Sequence, residues 1–469
     1  MIAKTNQFTA LAQAAPEKRA PDVRARDFQE IHAELIEKKA AEQASRCAQC
    51  GVPFCHTHCP LENNIPDWLK LTAEGRLREA YALSAETNPM PEVCGRVCPQ
   101  DRLCEGACVI EQSGHGGVTI GAIEKYLTET AWREGWVKPI APRIARADSV
   151  GVIGAGPAGL AAAERLRLYG YQVTVYDRHD RIGGLLVYGI PNFKLDKEIV
   201  ARRAQRLRDG GVEFVLKCDV GQTISFADIR SRHAAVLIAT GVYRARPLNG
   251  PEDRIVVPAL DYLIAANRIG LGDDVPDFAS GKLNAKGRRV VVIGGGDTAM
   301  DCVRTARRQG AKSVTCLYRR DRANMPGSQR EVAHAEEEGV RFDWLAAPKS
   351  VRGGASPAVT AVRVQLGPPD ESGRQVPNEK PGSVYEVAGD LVIAALGFDP
   401  EDISAWAETT HRGTLKVDPR TYATNQAGVY AAGDVVRGAS LVVWALREGR
   451  DAADAMHAYI QASGRVAAE

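Results

Sequence analysis

The sequence predicts an α/β chain in which a helical amino-terminal domain precedes two nested, doubly wound nucleotide-binding domains. Three observations carry this expectation. Eight of the eleven cysteines fall between residues 47 and 108, in a stretch with helical apolar spacing. Two glycine-rich turns follow short apolar strands, at Gly154 and at Gly294, which makes an internal repeat. A third small-residue segment ending in Gly433-Asp434 comes after both and points back to the first unit. The expected division is 1–146 (cysteine domain), 147–250 (first nucleotide domain), 251–389 (second nucleotide domain, inserted) and 390–469 (the rest of the first).

The cysteines form two runs: Cys47, Cys50, Cys55 and Cys59, then Cys94, Cys98, Cys104 and Cys108. The first has the spacing C-x2-C-x4-C-x3-C followed by Pro60, a near relative of the run that holds ferredoxin-type iron–sulfur clusters. Eight thiols would serve two 4Fe-4S clusters. Structural zinc usually takes two C-x2-C pairs, and only Cys47/Cys50 has that spacing. Disulfides need an oxidising compartment, yet the opening MIAKTNQFTA has no long apolar run and eleven is an odd number. Cys59-Pro60 and Cys98-Pro99 favour iron–sulfur, with zinc as the alternative. His56 and His58, between cluster cysteines, read as solvated or supporting neighbours rather than ligands.

Residues 1 to about 20 read as a loosely packed lead-in. A helix is expected from Asp27 to Ala44, on the spacing of Phe28, Ile31, Leu35 and Ile36, delivering Cys47 and Cys50 past its end. Further helical patterns run through Trp68, Leu69 and Leu77, and through Ile120, Ile123 and Leu127. In the 469 residues, 60 basic and 58 acidic side chains nearly cancel and no basic arm is present, which argues against nucleic acid. No run approaches 18 apolar residues, so no membrane helix is expected. A cytoplasmic enzyme is the default.

The strand Ser149 to Ile153 opens a Rossmann-like unit. Gly154 permits its tight turn, Gly156 lets backbone approach a pyrophosphate, and Gly159, after Pro157 and Ala158, lets helix 158–169 pack on the strand. The next strand, Gln172 to Tyr176, ends in Asp177, placed to bind ribose hydroxyls. Val290 to Ile293 leads into the second turn, Gly294 to Ala299, including Gly296, Asp297 and Thr298. Its second strand, 313–318, ends in Arg319 and Arg320, which suit a 2′-phosphate and hence NADPH over NADH; Arg322 is a further candidate. Strands Val236 to Gly241 and Leu391 to Gly397 look like crossings between nested domains. The segment Gly428 to Asp434 resembles the motif by which two-domain flavoproteins hold FAD, and Ser440 to Arg450 reads as a helix whose positive end faces the flavin.

Taken together, Cys94-Gly-Arg-Val-Cys98-Pro99, the GAGPAGL turn, Gly183-Gly184-Leu185 through Pro191, GGGDTAMDC and AAGD resemble the small (beta) subunits of bacterial NADPH-dependent glutamate synthases across essentially the whole chain. A more distant resemblance is to the amino-terminal half of dihydropyrimidine dehydrogenase. The resemblance implies FAD, NADPH and two 4Fe-4S clusters, a large (alpha) partner subunit carrying FMN, and a hetero-oligomer that makes glutamate from 2-oxoglutarate and glutamine. It implies that Cys47, Cys50, Cys55 and Cys108 hold one cluster and Cys59, Cys98 and Cys104 the other. The eighth ligand is Glu124, matching a glutamine ligand of dihydropyrimidine dehydrogenase, or else Cys94. Gly184 and Leu185 would line the flavin and Gly241 its edge.

Hydride transfer needs positioning and no acid or base of its own, so no catalytic side chain is expected. Met1 is followed by Ile2, so no residue-2 cysteine nucleophile stands here for an amidotransferase. Cys218, Cys302 and Cys316 form no C-x-x-C and read as buried structural thiols rather than a redox dithiol. The alternative to glutamate synthase is a reductase of the same build that serves another acceptor protein, such as ferredoxin.

Overall fold

A computed structural model of the chain describes residues 5–248, 255–370 and 373–466. Ile2 and the expected boundary at 250/251 lie outside them.

Helices Glu37–Ser45, Ile65–Ala73, Leu77–Thr87, Pro91–Val97 and Ile120–Arg133 build the amino-terminal part. Their apolar faces meet in a core of Ile65, Trp68, Leu69, Ala80, Ile123 and Leu127. Trp68 is fully buried, and its indole N–H is satisfied by Asn63 Oδ1 at 2.7 Å. The helix expected from Asp27 begins only at Glu37. Upstream, the backbone is spent on nonlocal pairing: Arg19 N–H donates to Ile31 O, Ala33 N–H donates to Glu17 O, and Lys18 bridges His32. Phe28 stands 6.3 Å from Phe193 and Ile36 is 70% exposed, so the helical spacing there was coincidental.

The chain then forms β1 (Ser149–Ile153), β2 (Gln172–Asp177), β3 (Val212–Leu216), β4 (Ala235–Ile238) and β5 (Arg244–Ala245). Next come β6 (Val256–Pro258), β7 (Arg289–Ile293), β8 (Ser313–Tyr318) and β9 (Arg341–Trp344). They are followed by β10 (Ala346–Arg352), β11 (Ala358–Pro369), β12 (Gln375–Ala388), β13 (Leu391–Ala394), β14 (Phe398–Asp399) and β15 (Val429–Ala431). One parallel sheet has the order β15-β4-β1-β2-β3, the other β6-β13-β7-β8-β9. Strands buried on both faces need unbroken apolar runs, as β4 (AVLI) and β13 (LVIA) show.

Because β15 pairs with β4, Val429 opposite Val236, the first sheet is completed only after the second is built. The second reaches further than the line drawn after residue 389: β13 pairs with β7, Leu391 opposite Val290. The chain crosses back beyond β13, where β14 pairs with β5. An antiparallel β10-β11-β12 meander extends from the second sheet.

Helix Val442–Val466 lies against helix Pro157–Leu168 so closely that a Cβ on Gly449 would stand 2.0 Å from Ala158 O. The amino-terminal part is tied to the rest by buried ion pairs. Arg203 forks onto Glu92 with two 2.8 Å bonds, and Arg24 pairs with Glu338. Among the described residues no helix is long and apolar enough to cross a membrane.

Candidate functional site

At the end of β1, Gly154 has φ 110°, and a Cβ there would sit 2.3 Å from Ala239 O. Gly159 is as constrained: its Cβ would meet Gly154 O at 1.9 Å. Gly156, between them, differs, since a Cβ would meet nothing within 4 Å. Glycine at 156 therefore clears space for something other than protein. Asp177 ends β2 beside this turn, buried, with one carboxylate oxygen accepting Ala155 N–H at 2.6 Å and the other His179 N–H at 2.7 Å.

Gly184, at φ 53°, brings its backbone against Gly156, and Leu185 opens the short helix Leu185–Tyr188. Gly433 N–H is held by the buried carboxylate of Glu448 at 2.9 Å, which also receives Arg437. Burial pushes the Asp434 carboxyl up to about 6, with the Ser440 backbone opposing. The last helix starts at Val442, slightly later than its sequence pattern suggests, so Ser440 and Leu441 form its approach.

The second turn repeats the geometry. Gly294 has φ 148° with Ala395 O in the way of any Cβ, and Gly296 again has open space. Asp297 Oδ1 accepts Ser328 N–H at 2.9 Å, Thr298 stands beside it, and Ala299 is fully buried. Beyond β8, Arg319 is exposed, whereas Arg320 is buried with its Nε donating to Gln375 O at 2.8 Å. Arg322 pairs with Glu336.

A single cavity of about 1240 Å³ joins these features. Gly154, Gly156, Pro157, Ala158, Asp177, Gly184, Leu185, Gly241, Gly433 and Asp434 line one end and Asp297 and Thr298 another, while Cys98 and Pro99 reach its wall. Gly159, Gly294 and Ala299 shape the turns from behind, and Gly296, Arg319 and Arg320 stand outside the cavity lining. Ser440 and Val442 place the start of the last helix at the cavity, and Leu260, Leu263 and Phe398 add apolar wall.

The cysteines fall into two groups. Cys47, Cys50, Cys55 and Cys108 line one small pocket with Pro53, Phe54, Leu69 and Ile120. Burial pushes Cys47 up to about 11 and Cys55 up to about 12, with Cys108 and Cys50 adding to each. In the second group Cys94 and Cys98 contact each other, Cys98 and Cys104 face Cys59 and Glu124, and burial pushes Cys59 up to about 11. Asn88 spans both candidates for the eighth place: its Nδ2 donates to Glu124 Oε1 at 3.0 Å, and its Oδ1 accepts the Cys94 thiol at 3.7 Å. Burial raises Glu124 to about 8. Among the described residues no three His, Cys, Asp or Glu side chains converge on a single-ion site. Sulfur donors with apolar lining suit iron–sulfur clusters. Cys302 and Cys316 are fully buried and Cys218 nearly so.

The family models divide the chain along the same lines. Residues 24–136 match dihydropyrimidine dehydrogenase domain II, 4Fe-4S cluster, and residues 148–449 match pyridine nucleotide-disulphide oxidoreductase. The glutamate synthase (NADPH) small chain of Azospirillum brasilense is 60% identical over 463 residues, covering 97% of this chain and 96% of that one. That of Escherichia coli K12 is 44% identical, covering 97% and 98%. This chain belongs to the glutamate synthase small-chain family. As a member it is an NADPH oxidoreductase with an iron–sulfur part and a pyridine-nucleotide part.

The putative oxidoreductase AegA of Escherichia coli K12 is also 43% identical, over 97% of this chain and 71% of that one. Among solved structures, Mycobacterium tuberculosis FprA in complex with NADPH has a TM-score of 0.59 at 18% identity, covering 69% of this chain and 86% of that one, a likeness of fold.

Sequence reasoning missed Glu448, Asn88, Glu105 and Arg330. An isolated Glu or Arg within a helical pattern carries no signal until its partner is known. Asn88 follows directly on helix Leu77–Thr87, and nothing in its sequence neighbourhood connects it to Glu124 or Cys94.

Proposed function

We propose that the chain is the electron-input subunit of a glutamate synthase, taking electrons from NADPH and passing them on to a large partner subunit that carries FMN. The observation that carries this reading is the single cavity that joins both glycine turns and touches Cys98. FAD held at Gly154–Gly159, Asp177, Gly184, Leu185, Gly241 and Gly433–Asp434 supplies the exchange between two-electron hydride and single electrons.

The protein's own residues position and exclude. Gly156 and Gly296 clear backbone for two pyrophosphates, and Leu185, Leu260, Leu263 and Phe398 keep water from the middle of the cavity. The exposed Arg319 offers a guanidinium to a 2′-phosphate, with Arg320 a weaker candidate because of its bond to Gln375 O. That Cys98 lines the cavity, whereas Cys47, Cys50, Cys55 and Cys108 line a separate small pocket, supports a reading with the second thiol group (Cys59, Cys98, Cys104) on the flavin side and the first farther out. Glu124 completes the second group in this reading, on its match to a glutamine ligand of dihydropyrimidine dehydrogenase, and Asn88 holds both Glu124 and the alternative, Cys94.

The test is metal and flavin content of the anaerobically purified chain, co-expressed with the large subunit. Eight irons and one FAD per chain, with NADPH-driven glutamate formation only in the complex, are expected for two four-iron clusters. Zinc in place of iron sinks the cluster assignment. Iron with FAD but no productive large subunit favours the other reading, a reductase for a different acceptor such as ferredoxin, which the likeness to a putative oxidoreductase keeps in play.

A further inference from the structure

The loop from Cys98 to Glu105 carries two thiols of the second group, and the nucleotide-binding half grips it from outside. Ser328 Oγ donates to Asp101 at 3.3 Å, and Arg102 donates to Pro326 O and approaches Asp297 at 3.5 Å. Arg330, on helix Gln329–Glu337, donates to Gln100 Oε1 at 3.2 Å and to the carboxylate of Glu105. Glu105 follows Cys104 directly, and its side chain is only 5% exposed. Its other oxygen accepts Gly121 N–H at 2.9 Å, in the first turn of the helix that carries Glu124. A buried carboxylate thus stands beside the second thiol group, and its countercharge comes from the other half of the chain. Arg330 also lines the large cavity.

Resting on the reading that Cys59, Cys98 and Cys104 hold a cluster, we propose that the Arg330–Glu105 pair sets that cluster's reduction potential, Arg330 being the charge-balancing residue that the nucleotide domain contributes. Reduction adds one electron and moves no other group, so the oxidised and reduced forms differ by one negative charge. A bare carboxylate in a poorly screened position opposes that charge, and a guanidinium held against it cancels the opposition. The two partners therefore have opposite signs of effect. Arg330 is the more solvent-exposed, at 46% of its side chain, so the uncancelled Glu105 has the larger effect.

The experiment is a redox titration of the anaerobically purified complex, following the electron paramagnetic resonance signal of the reduced second cluster. In Arg330→Gln the reduction equilibrium constant is expected to fall about tenfold, which is about 59 mV for a one-electron couple. Glu105→Gln is expected to raise it by a smaller factor, and the double variant to lie close to the parent. Arg330→Lys, which keeps the charge, restores most of the loss. Where Arg330→Gln assembles poorly, judged by iron and FAD per chain, Glu105→Gln and the double variant still carry the sign test. Unchanged potentials, or both single variants shifting the same way, overturn the proposal while leaving the ligand assignment intact. A Cys104→Ser complex that keeps the signal and its full iron overturns the ligand assignment itself, and the proposal with it.

Discussion

The turn after β1 and the turn after β7 share one backbone device, a left-handed glycine under a carbonyl and a second glycine facing open space, yet the helices that follow them are covered in opposite ways. Helix Pro157–Leu168 buries Ala161, Ala162 and Ala163 and is roofed by Leu446, Ala452, Ala453 and Met456 of the last helix. Helix Asp297–Arg308 buries Met300, Cys302 and Val303 on one side, but Asp301, Arg304 and Arg308 on the other. Lys194 meets Asp301 at 2.9 Å, and Glu338 receives Arg304, Arg308 and Arg24. The first unit's helix is roofed mainly by apolar residues of the last helix, with one buried carboxylate, Glu164, paired to Arg206. The second is an insertion held in place by ions from the amino-terminal segment and from the loop after Pro191. One motif, then, needs only its turn and strands to be kept, and its outer face answers to whatever packs on it.

The strongest way to break this contrast is at Glu338, whose side chain is fully buried among three guanidiniums. Glu338→Gln leaves the buried Arg308 without its counterion, while Arg24 keeps Glu337 and Arg304 keeps Glu331, and is expected to cost about 3 kcal/mol of stability, read by denaturant unfolding. Because the arginines hold this carboxyl below its ordinary range, its stabilisation is present above the unfolded carboxylate pKa. It is lost as pH falls through the folded value, so the gap between parent and variant should close in acid. A gap that persists unchanged at low pH contradicts the ionic account.

The next test separates the glycines that serve the protein from those that serve a ligand. In Gly156→Ala the added methyl meets no protein atom. The chain should therefore fold with parent stability but bind FAD about a hundredfold more weakly, an overlap of roughly 3 kcal/mol, seen as flavin lost on desalting. Gly159→Ala drives its methyl into Gly154 O and should instead lower stability itself. Equal flavin retention by the Gly156 variant and the parent would show that the open space is not the pyrophosphate site.

Much of this was legible beforehand, and the rest was hidden for a physical reason. β1, β2 and β8 lie where the sequence placed them, because strands buried in a parallel sheet are rich in apolar and β-branched residues, and for β1 the glycine turn marks the end as well. The grouping of the thiols came from the family resemblance, since spacing alone does not say that Cys108 faces Cys47 across a pocket. The segment before Glu37 misled, because its apolar spacing imitates a helix while its backbone bonds go to residues 17–19. Arg330 was invisible because its partner, Glu105, lies 225 residues away. Short-range patterns report elements, and long-range ion pairs emerge only once the elements are assembled.

The finest distinction concerns the ends of β2 and β8, where the first unit has Asp177 and the second has Arg319 and Arg320. Arg319→Ala removes an exposed guanidinium and should raise KM for NADPH about tenfold, the loss of one charge-assisted bond, with KM for NADH unchanged. Arg320→Ala should matter less to the nucleotide, because its Nε is committed to Gln375 O and the side chain is buried. Its main expected effect is a loss of about 1 kcal/mol where the β8 end meets β12, with the NADPH to NADH preference moving less than in the Arg319 variant. If the order is reversed, the buried arginine swings out on nucleotide binding, and the strand-end rule that picked both residues holds for the one that is covered in the absence of nucleotide.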